Sequence, residues 1–243
     1  MYPALAVARA LHDAQPELEL AYVGGVRGIE RRIVAGARDL PYHELVVRSL
    51  RSGGVNAHLV ADPVRLAASV PQAWALLGRL RPQAVFTSGG YLGIPLVLAA
   101  RARGIPSLVW EGNVVPGRAT IAVGRLATRV AVSFPPTLDA FPGRAFVSGT
   151  PIRSFAGTDR PAARRSFGVE PEDRLLLVFG GSQAVARITD ALESGLERLL
   201  AEWRVLHVAG DSGLVAAEAV RQRLPAPLAD RYQAVGFLTD RMT

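Results

Sequence analysis

Leu175-Leu-Leu-Val-Phe-Gly-Gly-Ser-Gln-Ala184 decides how this chain is built. Five apolar residues in a row, with no alternation, suit a parallel strand covered on both faces of its sheet. Gly180-Gly181 end the run, and Ser182-Gln183 open an amphipathic stretch predicted as a helix over Gln183–Glu202. A strand, a glycine turn and a helix aim backbone N–H groups and the positive helix end into the crevice above the sheet, a natural phosphate seat. Ser182 can donate its hydroxyl there or cap the helix, and a plain N-capped turn is the alternative. A nucleophile elbow is a further alternative, because Gly180–Ala184 nearly matches Gly-x-Ser-x-Gly. That chemistry needs a histidine downstream, and His207 is the only one, inside the next predicted strand.

Outward from this unit the same alternation recurs. Upstream strands are predicted at Leu18–Val23, Tyr42–Val46, Ala84–Thr87, Ser107–Trp110, Arg129–Val132 and Ala145–Val147. Helices are predicted between most of them, at Ile29–Ala37, Ala57–Leu80, Leu92–Arg103 and Gly117–Leu126. Downstream come strand Arg204–Ala209, helix Leu214–Leu224 and strand Tyr232–Val235. The class is therefore α/β, with parallel sheets covered by helices. Around residues 150–172 the texture turns polar, Pro/Gly-punctuated and Arg-rich, which predicts a linker with one short helix at Pro161–Phe167. The expected organisation is a first domain over 1–150, a linker over 151–173 and a second domain over 174–243. Glu170, Glu172 and Asp173 fall in a Pro-containing turn and read as solvated.

At the start, Pro3 suits a first helical turn, and Leu5, Ala8 and His12 repeat at helical spacing. A helix without a preceding strand and ligand loop, and a second unit of only three strands and two helices, lead to the expectation that both ends are cut.

Composition excludes several chemistries. With 49% hydrophobic residues the chain is globular. It has no Cys, and its four histidines never fall at metal-binding spacing, so neither a metal site nor a cofactor is expected. All 28 basic residues are Arg, which removes a Walker lysine, a kinase β3 lysine and Schiff-base chemistry. The net charge of +7 favours an anionic partner, a phosphate or an acidic lipid. Scattered arginines without interleaved aromatics do not make a nucleic-acid groove. The longest apolar run, Tyr91–Ala100, falls short of the about 20 residues a bilayer needs, and Arg9 interrupts the only leader-like stretch, so a cytoplasmic protein is expected.

Three more strand ends carry polar groups. Thr87–Pro95 (T-S-G-G-Y-L-G-I-P) repeats the strand–glycine–helix arrangement, with Tyr91 at its mouth. Trp110–Gly117 (W-E-G-N-V-V-P-G) puts Glu111 and Asn113 at a strand's carboxyl end, where open α/β sheets bind ligands; a lone Glu there is more often a helix-cap acid than a catalyst. Ser148–Arg153 (S-G-T-P-I-R) sets Arg153 behind a rigid Thr-Pro, within reach of a phosphate.

Taken in order, Pro3-Ala4-Leu5-Ala6, Gly89-Gly90-Tyr91, Glu111-x-Asn113-x-x-Pro116-Gly117, Gly149-Thr150-Pro151-Ile152-Arg153 and Gly180-Gly181-Ser182-Gln183 resemble the bacterial MurG family of glycosyltransferases along the whole chain. The resemblance implies the GT-B fold: two Rossmann-like, doubly wound parallel-sheet domains, here with the first strand missing and the second domain incomplete. It implies inverting, metal-independent transfer of N-acetylglucosamine from UDP-GlcNAc to undecaprenyl-pyrophosphoryl-MurNAc-pentapeptide in peptidoglycan synthesis. It gives the first domain the acceptor and the second the UDP-sugar. Gly89, Gly90 and Tyr91 match acceptor-binding positions and Glu111 a catalytic one. Asn113, Arg153, Gly181, Ser182, Gln183 and Leu238 match donor-binding positions, with Leu238 at the uracil.

Trp110 and Gly112 stand where the family usually has His and Gln, which puts the polar network around Glu111 in question, and Ala184 replaces a usual Gly. The family's glycine-rich loop and its His would precede Met1, and part of its donor pocket would follow Thr243. The chain as written is accordingly expected not to turn over alone. Peripheral binding to the inner, anionic face of the cell membrane is expected through His58–Leu66 with Arg48 and Arg51. The alternatives are another GT-B UDP-sugar transferase or a non-catalytic nucleotide-binding fragment.

Overall fold

A computed structural model describes residues 2–26, 31, 34, 40–46, 58–152, 158–180 and 186–236. The chain divides into two units, Met1–Ser154 and Phe155–Thr243. In the first, helix α1 (Tyr2–Ala14) precedes strands β1 (Tyr22–Gly25) and β2 (Tyr42–Leu45), which pair in parallel. Next come α2 (His58–Leu80), β3 (Val85–Thr87), α3 (Gly93–Ala102), β4 (Ser107–Glu111), α4 (Arg118–Leu126), β5 (Arg129–Val132), a 3₁₀ turn (Pro135–Ala140) and β6 (Ala145–Val147). Strands β3-β4-β5-β6 form one parallel sheet in chain order, the pattern of one half of a doubly wound domain.

The apolar run Tyr91–Ala100 now has its explanation. Leu96, Ala99 and Ala100 of α3 join Leu45, Ala73, Leu76 and Leu77 in one core cluster, while Val97 joins Val109, Val123, Val130, Val132 and Phe141 in another. A helix buried on two sides is apolar nearly all round. Gly124 lets Phe141 lie flat on α4, since a Cβ there would come within 2.4 Å of the ring.

In the second unit, α5 (Arg160–Ser166) is followed by β7 (Leu175–Phe179), α6 (Ala186–Leu200), β8 (Arg204–Val208), α7 (Gly210–Arg223), α8 (Ala226–Ala229) and β9 (Tyr232–Val235). The sheet order is β7-β8-β9, all parallel. Leu176 and Val178 pack against a core of Leu192, Leu196, Leu200, Val205 and Tyr232.

The structure corrects several expectations. Strand β7 is covered on one face only, for Leu177 is 50% and Phe179 62% exposed. Strand β1 begins at Tyr22 instead of Leu18, where pairing with Tyr42 of β2 begins. Helix α7 starts at Gly210, four residues before the predicted Leu214, because Gly210 (φ +73) turns the chain out of β8 and Asp211 complements the first turn. The 3₁₀ turn and α8 were not predicted from periodicity; both are too short to show a repeat.

Part of the stretch read as a linker is folded. Val169 is 3% exposed, Arg164 Nη2 donates to the Glu170 and Asp173 carbonyls, and Asp173 Oδ2 lies 2.7 Å from Arg204 Nε. Asp173, read as solvated, is an ion-pair partner. The helix expected over Ile29–Ala37 lies outside the described residues except at Arg31 and Val34, both helical.

Candidate functional site

Parallel pairing places the carboxyl ends of β3, β4, β5 and β6 along one edge of the sheet, the edge where such sheets bind ligands. After β3 the chain turns through Gly89 (φ +75) and Gly90 (φ +80). Gly89 sits against α4, since a Cβ on it would lie 2.6 Å from Thr120 Oγ1; a Cβ on Gly90 would meet open space. The amides of Gly93 and Ile94 close the turn onto the carbonyls of Gly90 and Tyr91 at 3.2 and 3.3 Å. Helix α3 then begins with Leu92 at its N-cap and no side-chain acceptor on its first amides. The first two amides of this helix are thus used within the turn, and Pro95 at its third position has none to offer.

The neighbouring helix end is held by a side chain. Glu111, 4% exposed, closes β4. Its Oε1 accepts from the backbone amide of Asn113 at 2.8 Å and from Asn113 Nδ2 at 2.7 Å. Its Oε2 accepts from the amide of Gly117, the N-cap of α4, at 3.3 Å. The chain's own carboxylate thus fills the anion position of α4, and three donors stabilise the buried charge.

From the other side, Thr137 Oγ1, 1% exposed, lies 3.0 Å from the carbonyls of both Asn113 and Val114. Asn113 is therefore held through its side-chain amide, its backbone N–H and its carbonyl, while the residue itself stays exposed. Sequence reasoning missed Thr137. A threonine after Pro135-Pro136 carries no pattern that marks it as a brace.

The departures at Trp110 and Gly112 leave this network intact, with all three bonds to Glu111 formed. The structure brings Gly89 beside α4, with Gly90 next to it in the turn, and Glu111 and Asn113 onto the adjacent strand end; Tyr91 belongs to the turn into α3. Arg153, Gly181, Ser182, Gln183 and Leu238 lie outside the described residues. His207, the histidine a nucleophile elbow would need, is a core residue. It is 2% exposed, and its Nδ1 lies 2.9 Å from Tyr232 Oη. Burial holds the His207 pKa below its ordinary value and pushes Tyr232 up to about 12. Among the described residues no three His, Asp or Glu side chains gather as a metal would need.

Comparison with known proteins bears on this geometry. The profile of the glycosyltransferase family 28 N-terminal domain matches residues 1–132. The UDP-N-acetylglucosamine–N-acetylmuramyl-(pentapeptide) pyrophosphoryl-undecaprenol N-acetylglucosamine transferase of Nocardioides sp. is 41% identical over 218 residues, covering 87% of this chain and 58% of that protein. The protein of the same name from Salinibacter ruber is 36% identical over 215 residues, covering 88% and 57%. Among solved structures, MurG of Acinetobacter baumannii matches with a TM-score of 0.62 at 26% identity, over 98% of this chain and 63% of that one. A UDP-GlcNAc 2-epimerase from Neisseria meningitidis reaches 0.63 at 10% identity, over 98% and 69%, a likeness of fold alone. The chain spans about half the length of the curated relatives it matches.

Proposed function

The chain belongs to glycosyltransferase family 28, and from that premise we propose that it serves the transfer of N-acetylglucosamine from UDP-GlcNAc to undecaprenyl-pyrophosphoryl-MurNAc-pentapeptide, the step from lipid I to lipid II in peptidoglycan synthesis. The observation that carries this function is the Glu111–Asn113 clamp at the end of β4, on the strand next to the glycine turn that follows β3. Gly89 and Gly90 turn the chain at positive φ with open space over Gly90, and Glu111 closes the end of α4 while holding the exposed Asn113. A side-chain-free turn lets a ligand approach the backbone closely, so Gly89, Gly90 and Tyr91 receive the acceptor. A pinned amide suits a sugar or nucleotide, so Asn113 meets the donor. Arg153, Gly181, Ser182 and Gln183 take the UDP diphosphate, and Leu238 takes the uracil.

In the reaction the acceptor hydroxyl oxygen attacks the anomeric carbon from the side opposite UDP and gives up its proton to water. The bond from that carbon to the diphosphate oxygen breaks, inverting the centre. Charge gathering on the departing UDP is met by a helix N-terminus and by Arg153. Glu111, matched to a catalytic position, contributes by orienting Asn113, from whose backbone and side-chain amides it accepts.

Access to a lipid-linked acceptor places the protein on an anionic membrane surface. Among the described residues no helix is long and apolar enough to cross a membrane. Support for a peripheral mode comes from the net charge of +7 and from Trp74 on α2, 43% exposed with the Arg103 guanidinium 4.1 Å over its ring.

The test is UDP titration of the wild type, Arg153→Ala and Ser182→Ala. Each substitution is expected to weaken binding by about 1–3 kcal/mol, or roughly 5- to 150-fold. Unchanged affinity in both variants removes the donor assignment.

A further inference from the structure

Trp110 sits on β4 one residue before Glu111 and is 8% exposed. Its indole Nε1–H donates to the carbonyl of Gly149 at 3.1 Å. The left-handed conformation of Gly149 (φ +74) is one that residues with a Cβ rarely adopt. The same oxygen lies 3.3 Å from Ser133 Oγ and 3.0 Å from Ser148 Oγ, and Thr150 Oγ1 donates to Ser133 Oγ at 2.9 Å. The backbone leaving β6 is thus tied to the ends of β4 and β5 largely through one carbonyl, and Trp110 is the donor that reaches it from β4.

Gly112 completes the arrangement. A Cβ there would lie 2.5 Å from Trp110 Cη2 and 3.0 Å from Cζ2, closer than carbon atoms approach. Its φ lies outside the left-handed region, so it is the indole, and not the backbone, that requires glycine at this position. The two departures at 110 and 112 are one exchange, a large ring at the first position for the side chain at the second.

We propose that Trp110 is a positioning residue for the donor. Its indole N–H holds Gly149, and with it the Gly149-Thr150-Pro151 segment that leads four residues on to Arg153, while Gly112 makes room for the ring. Pro151 fixes its own φ, so an anchored Gly149 restricts the path of the chain as far as Pro151. This rests on the assignment of Arg153 to UDP made above.

Four variants test it, with Trp110→His alone as the reference for the last. Trp110→Phe keeps a ring and removes the donor, Gly112→Ala adds the clashing Cβ, and Trp110→His with Gly112→Ala removes the clash. Amide hydrogen exchange over residues 148–152 reads the hold without any ligand. It is expected to accelerate about three- to ten-fold in Trp110→Phe, the effect of one neutral hydrogen bond. UDP affinity is expected to fall by a similar factor at temperatures where the variant, its unfolding midpoint lowered by the lost bond, is still fully folded. Gly112→Ala is expected to lower the midpoint in the wild-type background and to leave it unchanged in the Trp110→His background. Unaltered exchange in Trp110→Phe, or equal destabilisation by Gly112→Ala in both backgrounds, overturns the proposal. A wild type that fails to bind UDP at all while exchange responds as stated overturns the donor reading and leaves the anchor standing.

Discussion

Glu111 carries more of the local structure than any other single side chain at the strand ends, since one buried carboxylate satisfies three donors. Glu111→Ala is expected to lower stability by about 2–3 kcal/mol, through lost charge-assisted bonds and an uncapped α4. Glu111→Gln, which keeps one acceptor oxygen, should lose less, and urea unfolding of both variants reads the difference. His207 gives a second expectation, with pH as the variable. Desolvation lowers its folded pKa below the unfolded value of 6.5, so the unfolded chain takes up the proton first as the pH falls. The stability this group contributes is complete above that value and is lost as the pH drops below it. Glu193, the facing carboxylate, opposes the shift without reversing it. Urea midpoints of the wild type should therefore fall between about pH 7 and pH 5 more steeply than those of His207→Gln, which stays neutral throughout. Glu111 and Asn113 were legible because strand, acid and amide follow one another within Ser107–Asn113. Thr137 and the Trp110–Gly149 bond were not, because each joins residues 23 to 39 positions apart that no local pattern links.

Element by element, legibility followed the amount of repeat each segment shows. Helices α2 and α3 and strands β4 and β5 lie within one or two residues of their predicted bounds, since apolar spacing marks them directly. The unbroken run of β7 read as buried on both faces, yet one face is open; composition along a strand does not say what stands above it. The turn between β3 and α3 offers a graded test of how an element end is built. Gly89→Ala must adopt a positive φ and also displace Thr120, whereas Gly90→Ala bears the backbone strain alone. We expect Gly90→Ala to lower stability by about 1–2 kcal/mol and Gly89→Ala by clearly more. Thermal unfolding of the two alanine variants checks the order.

For the whole molecule, charge and family membership bear on the same partner chemistry, phosphate on a nucleotide and on a lipid. A chain of net charge +7 with an exposed Trp74 should float with vesicles containing acidic lipid and be released as salt is raised, because screening shortens to about 8 Å near physiological ionic strength. Flotation independent of lipid charge would count against peripheral binding. The central claim is that Gly89–Tyr91 face the acceptor diphosphate while Asn113, Arg153, Ser182 and Leu238 face UDP-GlcNAc. Residue-resolved amide NMR titration tests it most directly. Adding UDP-GlcNAc should move the signals of Asn113, Arg153, Ser182 and Leu238 together along one saturation curve, and adding a soluble lipid I analogue should move those of Gly89, Gly90 and Tyr91. Saturable shifts confined to other residues, or no shift with either ligand, would contradict it.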